Sequence, residues 1–373
     1  MAIWAMIAWT LIVCVAVSLL YLGAKVPDLF SIKTAAALAN FHYLAPGLII
    51  TTGVAALLTF CFHAINAMVC LIYAAMIWFA SDLVFGLTNK LGFTAFKPQQ
   101  IGYLALALTL VALLVGWHLA HHVYVTKYHL QTSKTVPSLR IVMFGDAHIG
   151  STFDGDGFAK HLRVIESYQP DLVLIAGDYV DDSTTKEEMV RATRHLGRLK
   201  TKYGIYFVFG NHDRGYYGSA RRGFSAQDLV QELTKQGVHV LLDQSVLIDN
   251  SFYVIGRHDY SIVQERRGAR KPMQELIKDL DQNRYMIVLD HQPADFVNQA
   301  KAEVDLVLCG HTHGGQLFPF NRVGKWLKVN DLVYGHEKRH KTDFIVTSGI
   351  SDWAIKFKTG TRSEFVVIDI NKK

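Results

Sequence analysis

The first third of the chain contains long runs without any charged side chain. Asp, Glu, Lys and Arg are missing from Met1 to Ala24, from Thr34 to Ser81 and from Pro98 to Thr126. Uncharged apolar runs of about 18 residues or more are typical of membrane-spanning helices. The predicted helices lie near residues 2–23, 40–62, 67–88 and 101–119, and a polar turn is expected at His63–Asn66.

A soluble bundle of apolar helices is the alternative interpretation, which the length of the runs disfavours. Neither a basic region before Met1–Ala24 nor a clear small-residue cleavage site after it is present, so an anchor is expected rather than a removed signal peptide. Asp82 lies near a predicted helix end, where an interfacial position is expected. A functional carboxylate within the membrane is the alternative.

Beyond residue 136 the pattern changes to short apolar runs that alternate with amphipathic stretches. Alternating strands and helices favour parallel pairing and sheets covered by helices, an α/β fold. We therefore expect a transmembrane region over 1–119, a linker over 120–136 and a folded domain over 137–373. The predicted strands are Ser138–Phe144, Asp171–Ala176, Ile205–Phe209, Met286–Leu289 and Val304–Cys309, and the predicted helices are Phe158–Tyr168, Lys186–Leu199 and Ala226–Gln236.

Charge divides the chain at the same place, since residues 120–373 hold 64 of its charged side chains. The net charge of +6 is modest and does not indicate nucleic-acid binding. It fits work near anionic phosphates or an anionic membrane surface, or simply a mildly basic solvated surface. The four cysteines have no zinc-site or disulfide spacing and are expected to be small buried side chains.

A polar segment follows each of the five predicted strands. Ligand sites in parallel sheets lie at the carboxyl ends of the strands, so these segments are expected to converge at one edge. Asp, Asn and His donors without a thiolate suit Mn, Fe or Zn, and two such ions can hold a phosphate between them. Five unrelated polar loops are the alternative. The segments are Gly145-Asp146-Ala147-His148, Gly177-Asp178, Gly210-Asn211-His212-Asp213, Asp290-His291 and Gly310-His311-Thr312-His313-Gly314-Gly315-Gln316.

Five short motifs, GDAHIG, AGDYVDD, FGNHD, DHQP and CGHTHGGQ, resemble the metal-binding blocks of the calcineurin-like metallophosphoesterase family. The resemblance covers about residues 137–371 and implies a four-layer α-β-β-α sandwich of two mixed sheets. The GHTHGGQ ending together with the apolar helices is similar to a bacterial membrane-associated branch that includes UDP-diacylglucosamine hydrolases.

The resemblance implies two divalent metal ions (Mn, Fe or Zn), with Asp178 bridging them. His212 would face the phosphate without binding metal and would stabilise charge or protonate the leaving oxygen, and Asp213 would orient His212 through a hydrogen bond. The implied ligands are Asp146, His148, Asp178 and His313 for the first ion, and Asp178, Asn211, His291 and His311 for the second.

The resemblance loosens after His313, where Thr347–Ser351 and Phe357–Arg362 depart from the family pattern, so a substrate role for Arg362 stays open. Gln264–Lys271 is rich in arginine, and Leu317–Tyr334 interleaves aromatic with basic residues. Such a mixture suits a lipid–water interface, and a solvated basic loop with ordinary packing is the alternative.

The expected function is hydrolysis of a phosphomonoester, phosphodiester or pyrophosphate, on an amphiphilic or lipid-linked substrate at the membrane. A broad phosphodiesterase acting on soluble nucleotides and a non-catalytic membrane scaffold are the alternatives. The expected location is a bacterial inner or cell membrane, crossed several times. Four lysines in the first and third helix connections favour an extracytoplasmic catalytic domain, and three basic residues after the last helix favour the opposite.

Overall fold

A computed structural model describes residues 2–30, 41–93, 96–265, 268–319, 321–322, 326 and 329–373 of the chain. The protein forms two compact units, Met1–Trp117 and His118–Lys373.

The first unit consists of long apolar helices: α1 (Ala2–Lys25), α2 (Phe41–Lys90) and α3 (Pro98–His121), with a 3-10 helix at Val26–Phe30. Three candidate membrane spans, Trp9–Phe30, Leu44–Lys90 and Pro98–His121, are long and apolar enough to cross a bilayer within the described residues. Apolar side chains cover much of their surface, as expected for contact with lipid.

Helix α2 differs from the two separate helices predicted near 40–62 and 67–88. It is described as one element of 50 residues, but His63 inside it has the non-helical angles φ 65° and ψ 157°. This break lies in the predicted polar turn. A straight helix of that length would be about 75 Å long, more than twice the thickness of a bilayer core. The number of membrane crossings stays a prediction.

Asp82 on α2 is paired with α1. The Nζ of Lys25 lies 2.7 Å from Oδ2 of Asp82, and the Tyr21 hydroxyl donates a hydrogen bond of 2.6 Å to the same oxygen. An apolar cluster that includes Leu22 and Trp78 packs nearby on the same helices. These contacts join α1 to α2 through Asp82, and its position at the membrane interface stays a prediction.

The second unit contains two six-stranded sheets in the described residues. Both are mixed: in the first, β12 pairs antiparallel with β2 and the other pairs of described strands are parallel, whereas in the second both edge pairs are antiparallel and the centre is parallel. Their orders are β1-β12-β2-β3-β4-β5 and β10-β11-β9-β8-β7-β6. The strands are β1 (Tyr124–Thr132), β2 (Leu139–Phe144), β3 (Leu172–Ile175), β4 (Ile205–Phe207), β5 (Val238–Val240), β6 (Gln244–Ile248), β7 (Phe252–Gly256), β8 (Tyr285–Leu289), β9 (Leu306–Cys309), β10 (Gly335–Arg339), β11 (Thr342–Val346) and β12 (Glu364–Lys372).

Helices cover the outer faces of both sheets. Alternate residues of β2 show the layering, since Val142 and Phe144 pack beneath helices while Ile141 and Met143 pack against the second sheet. The fold is therefore the four-layer α-β-β-α sandwich expected from the sequence. The helices are α4 (Gly155–Ser167), α5 (Lys186–Leu196), α6 (Ser219–Arg222), α7 (Ala226–Lys235), α8 (Ser261–Gln264), α9 (Met273–Ile277) and α10 (Phe296–Lys301), with a 3-10 turn at His313–Gly315.

The segment 120–136, predicted as a linker, is part of the folded unit. It contains β1, which pairs in parallel with β12 over the whole register from Tyr124↔Glu364 to Thr132↔Lys372. Its side chains are mostly half-buried or exposed, because β1 is an edge strand. A polar edge strand lacks the continuous apolar run by which the central strands were recognised.

Candidate metal centre

The predicted metal ligands lie in the segments that directly follow five strands. In one sheet, β2, β3 and β4 lead into the segments that carry Asp146, Asp178 and Asn211. In the other sheet, β8 and β9 lead into His291 and into the turn that carries His311. The carboxyl ends of both sets of strands meet at the site, as the topology of parallel strands requires.

The ligand atoms form two groups. Asp146, His148 and His313 offer one atom each within 4.8 Å of one another, and Nε2 of His313 lies 3.7 Å from Oδ1 of Asp146. Asp178 lies between the groups, because its Oδ2 is 3.8 Å from Nε2 of His148 and 3.2 Å from Nε2 of His291.

The second group comprises Asp178, His291 and His311, with the same spacing of at most 4.8 Å. Oδ1 of Asn211 lies 3.1 Å from Nε2 of His291, which adds an amide oxygen to this group. The structure thus brings together all seven residues predicted as ligands.

Backbone geometry presents these side chains inward. Asp146, His148, Asp178, His311 and His313 all have positive φ, between 39° and 72°. Side chains rarely adopt this left-handed region, and non-glycine residues held there cluster at functional sites. The peptide N–H of His311 donates to both oxygens of Asp146 at 3.0 Å, which fixes the direction of that carboxylate.

The imidazoles are oriented with Nε2 toward the carboxylates. Nδ1–H of His291 donates to the carbonyl of Ala176 at 2.6 Å, so its Nε2 is the nitrogen that faces Asp178 and Asn211. Nδ1 of His148 lies 3.4 Å from Oδ2 of Asp181. Nε2 of His148 is buried without a hydrogen-bond partner in the described part of the chain. A buried imidazole nitrogen that has no hydrogen-bond partner and lies among other oxygen and nitrogen ligand atoms is suited to bind a divalent metal ion.

Charges are concentrated and buried here. Burial raises the pKa of Asp146 to about 6. Burial would also raise the pKa of Asp178, but the neighbouring His291 outweighs it and holds that pKa well below its usual range. Burial lowers the pKa of His311 to about 4, so its imidazole is neutral near pH 7 and able to bind metal.

His212 borders the two groups. Its ring centroid lies 5.1 Å from those of His148, Tyr216 and Trp353. Burial lowers the pKa of His212, and its Nδ1 is buried without a hydrogen-bond partner among the described residues. The two aromatic rings are partly exposed, so the imidazole lies at the rim of the site.

The predicted hydrogen bond between His212 and the Asp213 carboxylate is wrong. The Asp213 carboxylate instead accepts four backbone N–H bonds, from Gly210 at 2.7 Å, Asp178 at 2.8 Å, Tyr179 at 2.9 Å and Val180 at 3.1 Å. Side chains of consecutive residues diverge, and both carboxylate oxygens are used by these donors. Asp213 therefore fixes the turns after β3 and β4 rather than the imidazole.

The sequence did not single out several supporting residues. Asp181, behind His148, lies inside the quoted motif AGDYVDD, which could have identified it. Asp352 and Lys358 form a buried ion pair, with Nζ 3.1 Å from Oδ1, in the segment where the family pattern loosens. Gly349 in the same segment packs against Asp146, since a Cβ there would lie 2.8 Å from the Asp146 Cβ.

Arg362 contacts β1, and the two basic segments are only partly described. The guanidinium of Arg362 lies over the ring of Tyr124, 4.7 Å from its centroid, on β1. Arg270 is buried and paired with Asp290, unlike a solvated basic loop. Phe318 and Trp326 are exposed, the latter by 82%. The segment residues outside the described part of the chain are Arg266, Arg267, Phe320, Val323, Gly324, Lys325, Leu327 and Lys328.

Comparison with known proteins agrees with this geometry. The sequence profile of the calcineurin-like phosphoesterase family matches residues 139–315. An uncharacterized metallophosphoesterase of Aquifex aeolicus is 32% identical over 215 residues, 56% of this chain and 77% of that protein. One from Campylobacter jejuni is 30% identical over 238 residues, 63% of this chain and 60% of that protein.

A transmembrane protein with a metallophosphoesterase domain from Bos taurus is 28% identical over 303 residues, 78% of this chain and 66% of that protein. The chain thus spans somewhat less than two thirds of the length of the Campylobacter and Bos proteins. The matched residues include the strands and turns that hold both ligand groups. On this evidence the chain belongs to the calcineurin-like metallophosphoesterase family.

Proposed function

We propose that this protein hydrolyses a phosphate ester at a centre of two divalent metal ions, in a domain anchored to a membrane. The observation that carries the proposal is the pairing of two buried ligand groups around Asp178, each with at least three nitrogen or oxygen donors. One group would be enough for a structural ion. Two groups that share a carboxylate are typical of two-metal hydrolysis.

The chain's own residues then have distinct roles. Asp146, His148, Asp178 and His313 hold one ion, and Asp178, Asn211, His291 and His311 hold the other. When bound, the ions supply Lewis-acid stabilisation of the phosphate and activation of water. His212, lying at the rim, donates a hydrogen bond to the phosphate in the neutral form that its lowered pKa favours, or in its protonated form gives a proton to the leaving oxygen and becomes neutral.

We further propose that the substrate is amphiphilic, with its phosphate at the membrane surface. The support is the direct chain connection from α3 to β1 and the exposed aromatic residues Phe318 and Trp326, which follow His313. The GHTHGGQ motif together with the apolar amino-terminal helices fits the membrane-associated branch of the family that also contains UDP-diacylglucosamine hydrolases. The proposed location is a bacterial cell membrane crossed several times, with the catalytic domain on the extracytoplasmic side.

Two other functions compete with this proposal. A broad phosphodiesterase acting on soluble nucleotides would use the same centre and would not need the exposed aromatic residues. A non-catalytic scaffold would be favoured by the loss of a ligand, and all seven predicted ligand positions are occupied by suitable residues.

A hydrolysis screen separates these functions. The full-length protein, purified in detergent and supplied with Mn²⁺, is tested on lipid phosphates in vesicles and on soluble nucleotides and nitrophenyl phosphate. We expect Trp326→Ser to lower hydrolysis of the lipid substrate several-fold and to leave that of nitrophenyl phosphate unchanged. Equal loss of both activities would make Trp326 structural, and equal retention would support the soluble-nucleotide alternative.

A further inference from the structure

A lysine is fully buried beside the metal centre. Lys358 has 0% of its surface exposed, and Asp352, its ion-pair partner, has 1%. Unpaired buried charges are strongly destabilising, so such groups are normally kept only as satisfied pairs. The Nζ of Lys358 lies 3.1 Å from Oδ1 of Asp352 and donates to the carbonyls of Ser348 at 2.7 Å and Ser351 at 3.2 Å.

The ammonium of Lys358 also donates a hydrogen bond of 3.1 Å to Oγ of Ser363. Lys358 thus ties Ser348 and Ser351, in the segment that packs against Asp146, to the loop before β12. None of its hydrogen atoms remains for solvent or substrate, because an ammonium has three donors and four acceptors surround it. The lysine therefore supports its surroundings and is not itself available to react.

Asp352 lies between this lysine and a predicted metal ligand. Its Oδ1 is 3.9 Å from Nδ1 of His313, whose Nε2 faces Asp146. Nδ1 of His313 and Oδ2 of Asp352 are both buried and have no hydrogen-bond partner among the described residues. A small rotation of the Asp352 carboxylate would bring one of its oxygens within hydrogen-bond distance of Nδ1–H of His313.

His148 in the same ligand group has a similar arrangement, since its Nδ1 faces Asp181 at 3.4 Å. In the other group, Nδ1 of His291 faces a neutral carbonyl. A carboxylate behind a metal-binding imidazole fixes its tautomer and raises its basicity, and loss of such a partner typically lowers metal affinity 10–100-fold.

We propose that Lys358 and Asp352 are positioning residues for His313, and that they set the metal affinity of the group formed by Asp146, His148 and His313. This inference rests on the proposed two-metal function. Lys358 holds Asp352 in place behind His313, so that Nδ1 of the imidazole faces the carboxylate and Nε2 faces the metal position. Without the lysine, the carboxylate would lose the contact that directs it toward His313.

The test compares four full-length variants by metal content after dialysis and by titration with Mn²⁺: Asp352→Leu, Asp352→Asn, Lys358→Met, and the double variant Asp352→Leu/Lys358→Met. The double variant removes both charges, so it avoids an unpaired buried ion and keeps the fold. Lys134→Met is the matched control, since Lys134 forms a 2.7 Å pair with Asp305 beside the amino ends of β8 and β9.

We expect the double variant and Asp352→Leu to bind one Mn²⁺ as the wild type does and the other 10–100-fold more weakly. Asp352→Asn, which keeps one oxygen acceptor for Nδ1–H, should lose less affinity than Asp352→Leu. Two Mn²⁺ ions bound by a folded double variant with wild-type affinity would overturn the inference. A wild-type protein that binds fewer than two ions would instead contradict the proposed function, so the two failures are distinguishable.

Discussion

Replacement of Asp213 by alanine tests whether that residue is structural or catalytic. The buried carboxylate accepts four backbone N–H bonds of 2.7 to 3.1 Å, from Gly210 and from three consecutive residues beginning at Asp178. A buried donor left without a partner costs about 1–3 kcal/mol. Allowing water to reach some of the four groups, we expect Asp213→Ala to lower the free energy of unfolding by about 4 kcal/mol.

For a unit of this size, 1 kcal/mol corresponds to about 2–4 °C in melting temperature, so a decrease of about 10 °C is expected. Thermal unfolding followed by tryptophan fluorescence measures it in the detergent-solubilised protein. Metal content should fall in the same variant, because the turns that carry Asp178 and Asn211 lose their common anchor. Activity should therefore be lost together with stability and bound metal.

Asp156→Ala is the control for this measurement. Asp156 is exposed and, among the described residues, pairs with Arg191 at 3.4 Å and His195 at 3.0 Å at the surface, so its removal should change the melting temperature little. A variant Asp213→Ala that melts within about 2 °C of the wild type, keeps both metals and loses turnover alone would refute this reasoning. That result would restore the predicted role of Asp213 as a partner of His212.

Two further predictions concern residues on either side of the metal groups. His212→Ala should keep both metals and the wild-type melting temperature. Its turnover should fall by about two orders of magnitude or more, the usual scale for a positioned acid or charge stabiliser. Loss of metal in this variant would show that His212 is a ligand. Gly349→Ala should lower metal content, because φ at Gly349 is +81° and the new Cβ would lie 2.8 Å from the Cβ of Asp146; full metal retention, measured by elemental analysis, would show that the backbone can relax there.

Five strands (β2, β3, β4, β8 and β9) and the convergence of the proposed ligands were predictable, because each of these strands is a short apolar run followed by polar residues. β2 and β9 are examples, with ligands two to four residues beyond their ends. The interior strands β7, β11 and β12 were not predicted although they are buried apolar runs, and edge strands such as β10 were missed for the opposite reason. β10, with the sequence GHEKR, contains hardly an apolar side chain, and its pairing with β11 depends on residues that come later in the chain.

The supporting residues of the site depend on contacts that sequence spacing does not reveal. Asp213 follows His212 directly and was expected to bind it, but the carboxylate reaches backbone groups about 35 residues away in sequence. Lys358 and Asp352 belong to a loop whose path is determined by the packing of β12 and the turn after β11. Their relation to His313 emerges only when both sheets are assembled.

The central claim is that two metal ions, joined by Asp178, are required for hydrolysis. Elemental analysis of the wild type and of Asp178→Asn, each loaded with Mn²⁺ and dialysed, tests it most directly when paired with turnover of nitrophenyl phosphate. We predict two ions per chain and turnover for the wild type, and fewer ions with no measurable turnover for Asp178→Asn. Two ions and wild-type turnover in Asp178→Asn would contradict the two-metal account.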